Sequence, residues 1–308
     1  MSSPSTLFDL TGWAWVRLTG RDAHKFLHNF CTNDVLKLPQ TYGCEAFVTN
    51  VKARVLGHIF AFEAADAETG PAVDVFSFPG QDAPLLAHLD RYLIREEVAF
   101  ENRTDATFTS LLSGAVPQDD EALRPFETRH AVVGKCRVTM RRLDLLGEPG
   151  HLIVGDRENV AHVREAFLES GATSGDAATF ESRRIEAVLP IYGIDLSEDQ
   201  LAPEAGRPWA ISYTKGCYLG QEPIARIDAL GHVNKLLRGV RLEADVVPER
   251  GASVVADGKE IGTVTSAIAG TALAYIRSKY SEPGTIVAIG SSNEEIPAQI
   301  FASSEPRP

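Results

Sequence analysis

The sequence predicts an α+β protein that folds into two or three domains and ends in an all-β domain. Its 308 residues exceed the length of a typical single domain. The first two thirds alternate strand and helix patterns and contain hairpin signals, whereas the part from Leu237 onward shows strand patterns only. Because hairpins join antiparallel strands, this order favours an α+β arrangement over a doubly wound parallel sheet.

The first segment is predicted to contain five elements. Asp22 is suited to cap a helix in which Ala23, Phe26 and Phe30 recur at helical spacing. Apolar residues alternate on both sides of a turn at residues 50–54, which predicts a hairpin. In order we expect a strand, a helix, the hairpin, a strand and a helix, over residues 13–18, 23–30, 45–62, 71–78 and 81–93.

The middle third repeats this alternation. Its patterns predict three strand-rich stretches and then two helices, over residues 108–112, 131–145, 152–154, 157–170 and 180–189. The polar stretch 193–207 follows and has no periodic pattern. Since structureless loops of this length are uncommon inside compact domains, we expect this stretch to line a site.

The last part of the chain is predicted to form a barrel or a sandwich. Short strand patterns separated by Gly, Asp, Pro and Ser follow one another at regular spacing, over residues 239–242, 253–256, 260–266, 273–277 and 286–289. The last five residues are expected to be frayed.

The composition narrows the classes of function. A hydrophobic fraction of 44% with 23% charged residues is typical of a globular protein. The net charge of −12 disfavours direct binding of nucleic acid, because such binding depends on Lys and Arg that neutralise phosphates. The first residues lack the pattern of a signal or transit peptide, and no apolar run is long enough to span a membrane. We therefore expect a cytoplasmic protein without a membrane partner.

The chain has four cysteines, at positions 31, 44, 136 and 217. No two of them form a Cys-x-x-Cys pair, so no self-contained zinc or iron–sulfur site is expected and no metal ligands are assigned. A long chain that is poor in cysteine is typical of a reducing compartment. Cys31, Cys44 and Cys136 lie in segments predicted to be packed helix or strand, whereas Cys217 does not.

Cys217 lies in the stretch that ordinary folding explains least, residues 215–226, Lys-Gly-Cys-Tyr-Leu-Gly-Gln-Glu-Pro-Ile-Ala-Arg. Gly216 and Gly220 suggest a tight turn or close approach of a ligand. Lys215 and Arg226 are candidates to favour the thiolate of Cys217, and Pro223 is expected as the first residue of a short helix. The alternative is that Cys217 is a small buried apolar residue, as isolated cysteines commonly are.

This stretch, called the signature below, resembles that of the YgfZ family of folate-binding proteins, relatives of the glycine cleavage aminomethyltransferase (T-protein). The resemblance extends to most of the chain, through segments such as 20–35, 92–98, 183–204 and 261–276. It implies three domains around a central opening that holds tetrahydrofolate, the first two interleaved in sequence. The expected boundaries are 1–105 and 106–234 for the α+β domains and 235–303 for the C-terminal β-barrel.

Several residues are candidates for contacts with a reduced folate. The resemblance points to Arg184, which alternatively belongs to a solvated helix face. Trp209 and Tyr213 are able to stack on a flat ring, although packing under a loop is equally ordinary. The other candidates come from the signature: Gly216, Gly220, Gln221 and Glu222.

The sequence also departs from the aminomethyltransferase pattern. Gly57-His58 stands where that enzyme has paired aspartates, and Leu152 stands where it has a second carboxylate. Without a proton-exchanging acid, a claim to glycine cleavage is weak. The resemblance instead implies a folate-binding accessory protein for iron–sulfur cluster assembly or repair, which supports tRNA-modifying iron–sulfur enzymes. The alternatives are a tetrahydrofolate-dependent aminomethyltransferase or demethylase, and a folate-binding module without chemistry.

Overall fold

The computed structural model describes residues 5–64, 70–114, 123–231, 233–291 and 294–303, which form three β-sheets and five α-helices. The helices are α1 (Ala23–Phe30), α2 (Asp82–Asp90), α3 (Val160–Glu169), α4 (Ala177–Glu186) and α5 (Gln221–Leu230). The strands up to the second helix are β1 (Thr6–Asp9), β2 (Trp13–Thr19), β3 (Gly43–Thr49), β4 (Val55–Glu63) and β5 (Ala72–Pro79). Those of the middle part are β6 (Ala99–Asn102), β7 (Thr107–Ser113), β8 (Thr128–Val133), β9 (Cys136–Arg142), β10 (Gly150–Asp156) and β11 (Thr173–Ser174). The C-terminal strands are β12 (Lys235–Leu242), β13 (Ser253–Ala256), β14 (Lys259–Ile268), β15 (Thr271–Arg277), β16 (Ile286–Ser291) and β17 (Glu294–Phe301).

The first sheet has five antiparallel strands in the order β3-β4-β5-β2-β6. The predicted hairpin is its β3–β4 pair, which turns between Asn50 and Arg54. Apolar residues of α1 and α2, such as Phe26, Leu27 and Leu85, pack against one face of this sheet. Both strands of the hairpin are buried along most of their length, because a helix layer covers one face of the sheet and the second sheet covers the other.

The second sheet has the strand order β11-β1-β7-β10-β9-β8. Its strand β1 comes from the N-terminus and pairs with β7 and β11, which follow much later in the chain. Val163 and Phe167 of α3 cover its outer face. The two α+β units are thus interleaved, and we retain 1–105, 106–234 and 235–303 as proposed boundaries with β1 as the exchanged strand.

The two sheets face each other across an aromatic core. Trp15, Phe62 and Phe76 contribute from the first sheet and Leu152 from the second. An ion pair lies within this core: Arg141 Nη2 contacts Asp74, whose other oxygen accepts from Arg17 Nε at 2.7 Å. The pairing satisfies the buried Asp74 carboxylate, since a buried charge is tolerated when it is paired and hydrogen-bonded. Side chains therefore fill the part of the inter-sheet space around Asp74.

The C-terminal strands close into the barrel β12-β15-β14-β13-β16-β17. Five of the six strands overlap the predicted segments. The sixth, β17, was missed because it contains Pro297 and begins with two glutamates, both of which are unfavourable in strands. This strand pairs with β12 and β16 and so provides the closure of the barrel.

Other expectations need correction at the level of single elements. Asp22 precedes α1, but its side chain accepts a hydrogen bond from the backbone of Glu97 at 2.9 Å instead of capping the helix. Pro223 is the third residue of α5 and not the first, since the helix begins at Gln221. Strands β1, β6 and β11 were not predicted. The predicted fraying of the last five residues lies outside the described residues. Within the described part of the chain, none of the helices has the length and apolarity needed to cross a bilayer.

Candidate functional site

The signature forms an exposed loop that leads into α5. Residues 211–220 have no helix or strand, and Cys217 and Gly216 are exposed within them. All four cysteines are described: Cys217 is exposed, and Cys31, Cys44 and Cys136 are buried. Burial raises the pKa of the Cys31 thiol and raises that of Cys44 well above its ordinary value. Cys217 is therefore the thiol that a reagent or a partner reaches in the folded protein.

Lys215 anchors the loop on the N-terminal domain. Its Nζ donates to the backbone carbonyls of His28 at 2.6 Å and of Cys31 and Asn33 at 2.7 Å each. The side chain is buried, and burial lowers the pKa of Lys215 although Cys31 and Asp34 oppose this shift. None of these hydrogen bonds goes to Cys217. Lys215 thus positions the loop, and its expected effect on the Cys217 thiolate stays a prediction.

Gly220 is the second anchor, and here the conformation requires glycine. Its φ is +87°, and a Cβ at this position would lie 2.5 Å from the carbonyl oxygen of Asn50 and 2.7 Å from Thr49 Oγ1. The neighbouring Leu219 donates to Asn29 O at 2.9 Å and accepts from Thr49 Oγ1 at 2.7 Å. The loop is thus fixed on the hairpin turn. Gly216 has no such constraint, because a Cβ there would meet only His28 Nε2, at 3.8 Å.

The remaining signature residues lie around α5. Gln221 and Glu222 begin the helix, and Arg226 is exposed on it. Tyr213 is 47% exposed on the same loop as Cys217. Burial of its covered part and the nearby Asp228 raise the pKa of Tyr213. Tyr213, Gln221, Glu222 and Arg226 thus lie on the same loop and helix that carry and follow Cys217.

A buried polar network that the sequence did not predict lies behind this loop. Glu45 of β3 accepts from Trp209 Nε1 at 2.8 Å and from Arg207 Nη2 at 2.7 Å, and Arg207 Nε also contacts it. His58 Nε2 lies 2.7 Å from Glu45 Oε1. Trp209, a predicted ligand contact, therefore has its indole N–H occupied by Glu45, and Arg207 lies 4.8 Å over its ring.

The charges in this network are fixed. Burial favours the neutral acid, but Arg207 and His58 prevail and hold the pKa of Glu45 well below its ordinary range. Burial lowers the pKa of His58, against the opposing effect of Glu45. The network is therefore a Glu45–Arg207 ion pair beside a neutral His58. Asn33 joins it to the signature: its Nδ2 donates to Glu45 O and Trp209 O at 2.8 and 3.0 Å, while its carbonyl accepts from Lys215.

Arg184 is a structural residue, which corrects its expected role as a ligand contact. It is fully buried, and Nη1 donates to Asp195 Oδ2 at 2.9 Å and to Leu189 O at 3.2 Å. Its other nitrogens contact Glu181 and donate to Ser266 Oγ at 2.9 Å. Because its donors are taken up by the protein, we drop Arg184 from the candidate ligand contacts.

The positions that the resemblance matches to the aminomethyltransferase carboxylates are buried and have no open space beside them. His58 and Leu152 are both buried, and a Cβ at Gly57 would lie 2.6 Å from Leu85 Cδ2. The space nearby, where Glu45, Arg142, Asp144 and Arg207 meet, measures about 10 Å³. It offers suitable charges for a folate but holds no more than about one water molecule. A folate does not fit there in this structure.

A larger opening lies between the two α+β sheets, and we call it the inter-sheet groove. Its volume is about 530 Å³, and it is lined by Trp15, Arg17, Arg103, Thr107, His130, Ala131, Val132, Arg137, Val138, Thr139, Val154, Gly155 and Asp156. The guanidinium of Arg103 lies 4.8 Å over the Trp15 ring, and its buried Nε lies 3.6 Å from Glu101 Oε1 without a hydrogen-bond partner among the described residues. The groove thus combines apolar surface with several cations. None of the predicted ligand contacts lines it.

Comparison with known proteins places the chain in a family. The profile of the GCVT N-terminal domain matches residues 2–215, and that of the glycine cleavage T-protein C-terminal barrel domain matches residues 235–305. The chain is 26% identical to the aminomethyltransferase of Caldanaerobacter subterraneus, over 96% of its own length and 83% of that protein's. It is 24% identical to a putative chloroplastic transferase of Arabidopsis thaliana, over 95% and 70% of the two lengths.

The fold agrees with these matches. The crystal structure of the glycine cleavage system aminomethyltransferase T from Bartonella henselae superposes with a TM-score of 0.85 at 18% identity, over 99% of this chain and 88% of that one. This confirms the predicted α+β fold with antiparallel sheets and a C-terminal barrel. Because the two profiles together span most of the sequence, the chain belongs to the aminomethyltransferase-like family that combines the GCVT N-terminal domain with the glycine cleavage T-protein C-terminal barrel.

Proposed function

We propose that this protein acts through the thiol of Cys217, as a folate-binding accessory protein of the YgfZ type that supports iron–sulfur cluster assembly or repair. The observation that carries the proposal is the exposure of Cys217 on a loop fixed by Lys215 and Gly220. A rigid loop that presents a thiol at the surface suits reaction with a macromolecular partner. The partners proposed are iron–sulfur enzymes or assembly factors in the cytoplasm, including those that modify tRNA.

The same structure argues against aminomethyl transfer. A neutral His58 that is fully buried and a buried Leu152 replace the carboxylates of the enzyme pattern. Loss of a general acid or base costs on the order of 100-fold or more in rate. These replacements support the accessory role over aminomethyl transfer.

The proposed ligand is tetrahydrofolate or another reduced folate, bound in the inter-sheet groove. A volume of about 530 Å³ lies in the range of small-molecule sites. Arg103 and Arg137 are suited to pair with the carboxylates of the folate tail, and Asp156 and Thr139 are able to accept hydrogen bonds from the ring edge. The Nε of Arg103 has no hydrogen-bond partner among the described residues and lies 3.6 Å from Glu101 Oε1, so a ligand carboxylate would compete with that acid for it.

Genetic rescue tests the role of the thiol. Cys217→Ser should fail to restore iron–sulfur enzyme activity in a strain that lacks its own family member, although the purified variant folds and binds folate like the wild type. Cys136→Ser is the matched control, since it removes a buried thiol. If this variant folds, it should restore iron–sulfur enzyme activity in the same strain. Rescue by Cys217→Ser at wild-type level would remove the thiol from the proposal.

A folate titration followed by Trp fluorescence tests the groove. Arg103→Gln combined with Arg137→Gln should weaken binding of tetrahydrofolate at least 10-fold, whereas Trp209→Phe with Tyr213→Phe should leave it nearly unchanged. The reverse pattern would move the ligand to the signature loop, whose residues Trp209, Tyr213, Gly216, Gly220, Gln221 and Glu222 are the earlier candidates. Absence of binding at millimolar folate would reject the ligand itself.

A second candidate function is tetrahydrofolate-dependent aminomethyl transfer. The observation in its favour is that several relatives named aminomethyltransferase match nearly the whole chain, including one from Bacillus pumilus at 25% identity over 96% of it. A measurement of ammonia release from an aminomethyl-lipoyl carrier by the purified protein distinguishes this candidate from the accessory role. Robust turnover would establish this candidate, and its absence together with failure of Cys217→Ser in the rescue assay would favour the accessory role.

A further inference from the structure

Two adjoining cavities lie where the barrel meets the N-terminal part of the chain, far in sequence from the inter-sheet groove. Their volumes are about 340 and 610 Å³, and both are lined by Lys235 and Arg277. Tyr275 lines the first, and Arg54 and Glu204 line the second. We call the combined space the barrel cleft. It belongs neither to the Glu45 network nor to the signature.

The cleft wall contains two cations side by side. Lys235 of β12 and Arg277 of β15 are directly opposite each other in the antiparallel register. Within the part of the chain that the structure describes, neither makes an ion pair, and the contact given for Lys235 is with the Tyr275 ring, 4.8 Å from Nζ. Like charges placed directly opposite destabilise a sheet. Such a pair in a protein of net charge −12 indicates a need for positive charge at this place.

The floor of the cleft contains an unpaired hydroxyl. Tyr275 is 6% exposed, and its Oη has no hydrogen-bond partner among the described residues. A buried hydroxyl without a partner is costly, and natural structures rarely keep one. Because Tyr275 lines the cavity, we include its hydroxyl among the donors of the proposed site.

Three acids, Asp199, Glu204 and Glu260, also line the cleft. Glu204 is buried, and its Oε2 accepts from the backbone N–H of Leu201 at 3.0 Å. Burial raises the pKa of Glu204, against the opposing effect of Lys235 and Arg54. Glu260 Oε2 accepts from Ser253 Oγ at 3.0 Å. Arg54, across the cleft, adds a third positive charge and contacts the carbonyl of Asp199.

We propose that the barrel cleft is a binding site for a small organic anion, held through its phosphate or carboxylate oxygens by Lys235 and Arg277 and by a hydrogen bond from Tyr275. A phosphate ester and a polycarboxylate share the anionic oxygens that these donors recognise. The combined volume accommodates a molecule of metabolite size. This site is independent of the proposed folate site, since no residue lines both.

Isothermal titration of the full-length protein with sodium pyrophosphate and, separately, with citrate tests the proposal. Lys235→Gln combined with Arg277→Gln should weaken binding of the preferred anion at least 10-fold, and Tyr275→Phe should weaken it by a smaller factor. Arg241→Gln, a charge removed from the same strand with its side chain at the Phe301 ring, is the control and should bind like the wild type. Preference for pyrophosphate or citrate identifies the chemical source of the anion.

The same variants have a second readout that is independent of any ligand. Removal of the opposed charges, or of the unpaired hydroxyl, should leave the melting temperature of the free protein unchanged or raise it, because both features are unfavourable in the absence of a ligand. Weaker binding together with undiminished stability is the result expected when residues serve ligand binding at a cost to folding. Equal affinity of the double variant and the wild type, equal weakening by Arg241→Gln, or no binding of either anion would overturn the proposal. Folate titrations of these variants should remain at wild-type values.

Discussion

At the scale of single residues, the four thiols differ in exposure, and this difference predicts their reactivity. Cys217 should be alkylated by iodoacetamide in native buffer much faster than the three buried cysteines. Burial keeps Cys31 and Cys44 protonated as well as covered, so both should react only on unfolding. Mass spectrometry of each cysteine-containing peptide over time measures the rates. Labelling of Cys217 no faster than the others would contradict an accessible signature loop.

The buried His58 predicts how stability depends on pH. Its pKa is lower in the folded protein than the ordinary 6.5, so the unfolded chain takes up a proton first as the pH falls. The free energy of unfolding should therefore decrease below pH 6.5, by up to about 1.4 kcal/mol per pH unit for this one group. Neutral His58 stabilises the fold above pH 6.5, and this contribution is lost towards acid.

Urea denaturation between pH 5 and 7 measures this effect. In His58→Gln the slope of unfolding free energy against pH should be smaller, by at most one proton, whatever the absolute stability of the variant. His162 is exposed on α3, so His162→Gln serves as the control and should retain the wild-type slope. An unchanged slope in His58→Gln would show that His58 titrates alike in both states.

Single residues also show what the sequence was able to reveal. Cys217 stood out because glycines and charges surround it, and its exposure agrees with that interpretation. Glu45 and Arg207 were missed because they are 162 positions apart and meet only through the tertiary fold. One signal was present: Glu45 is an acid inside an apolar strand, and such a residue requires a buried cation. The residues near Glu45 in the sequence do not show which cation pairs with it.

At the scale of elements, the turn from the signature into α5 depends on Gly220. Gly220→Ala should destabilise the protein by about 2–4 kcal/mol, from positive φ and from overlap with the Asn50 carbonyl. Gly231 ends the same helix with φ +75° but has open space around it, so Gly231→Ala should cost only about 1 kcal/mol. Chemical denaturation of both variants compares the two. Equal losses would mean that the contact with Asn50 contributes nothing.

Helices and strands were predicted correctly where the hydrophobic periodicity is strong and the segment that pairs or packs with them is close in sequence. The β3–β4 hairpin and helix α1 carry their own periodicity and turn residues, and both formed as expected. Strands β1, β6 and β11 are two to four residues long and are strands only because a neighbour from a distant part of the chain pairs with them. Segments of this length are too short to show a hydrophobic periodicity. Their pairing can therefore be recognised only in the folded sheet.

At the scale of the whole molecule, Arg184 connects the second α+β unit to the barrel. It bridges Asp195 and Ser266, so Arg184→Met should lower the free energy of unfolding by about 3–5 kcal/mol, because Asp195 is left buried without its cation. Arg183 is the adjacent control: its pair with Glu148 is partly exposed, and Arg183→Met should cost about 1 kcal/mol or less. Thermal and urea unfolding measure both. A mild Arg184→Met would contradict the bridging role.

The arrangement of the three sheets was not contained in composition or periodicity. Those patterns predicted an α+β part and an all-β part, and the interleaved order came from the resemblance of the signature and its flanking segments. The physical reason is that exchange of β1 into the second sheet depends on pairing across roughly a hundred residues, for which hydrophobic alternation gives no register. The barrel, by contrast, includes the hairpin pairs β13–β14, β14–β15 and β16–β17, and five of its six strands were predicted.

The exchanged strand β1 has a consequence for synthesis on the ribosome. Its partners β7 and β11 end at Ser113 and Ser174, so Thr6–Asp9 remains without its neighbours until those residues have left the exit tunnel. At about 5–20 residues per second, this delay lasts on the order of ten seconds or more. During that time the nascent chain exposes an apolar strand that a chaperone or a second nascent chain is able to bind. The second α+β sheet of this protein is therefore completed late, although its strand β1 is synthesised early.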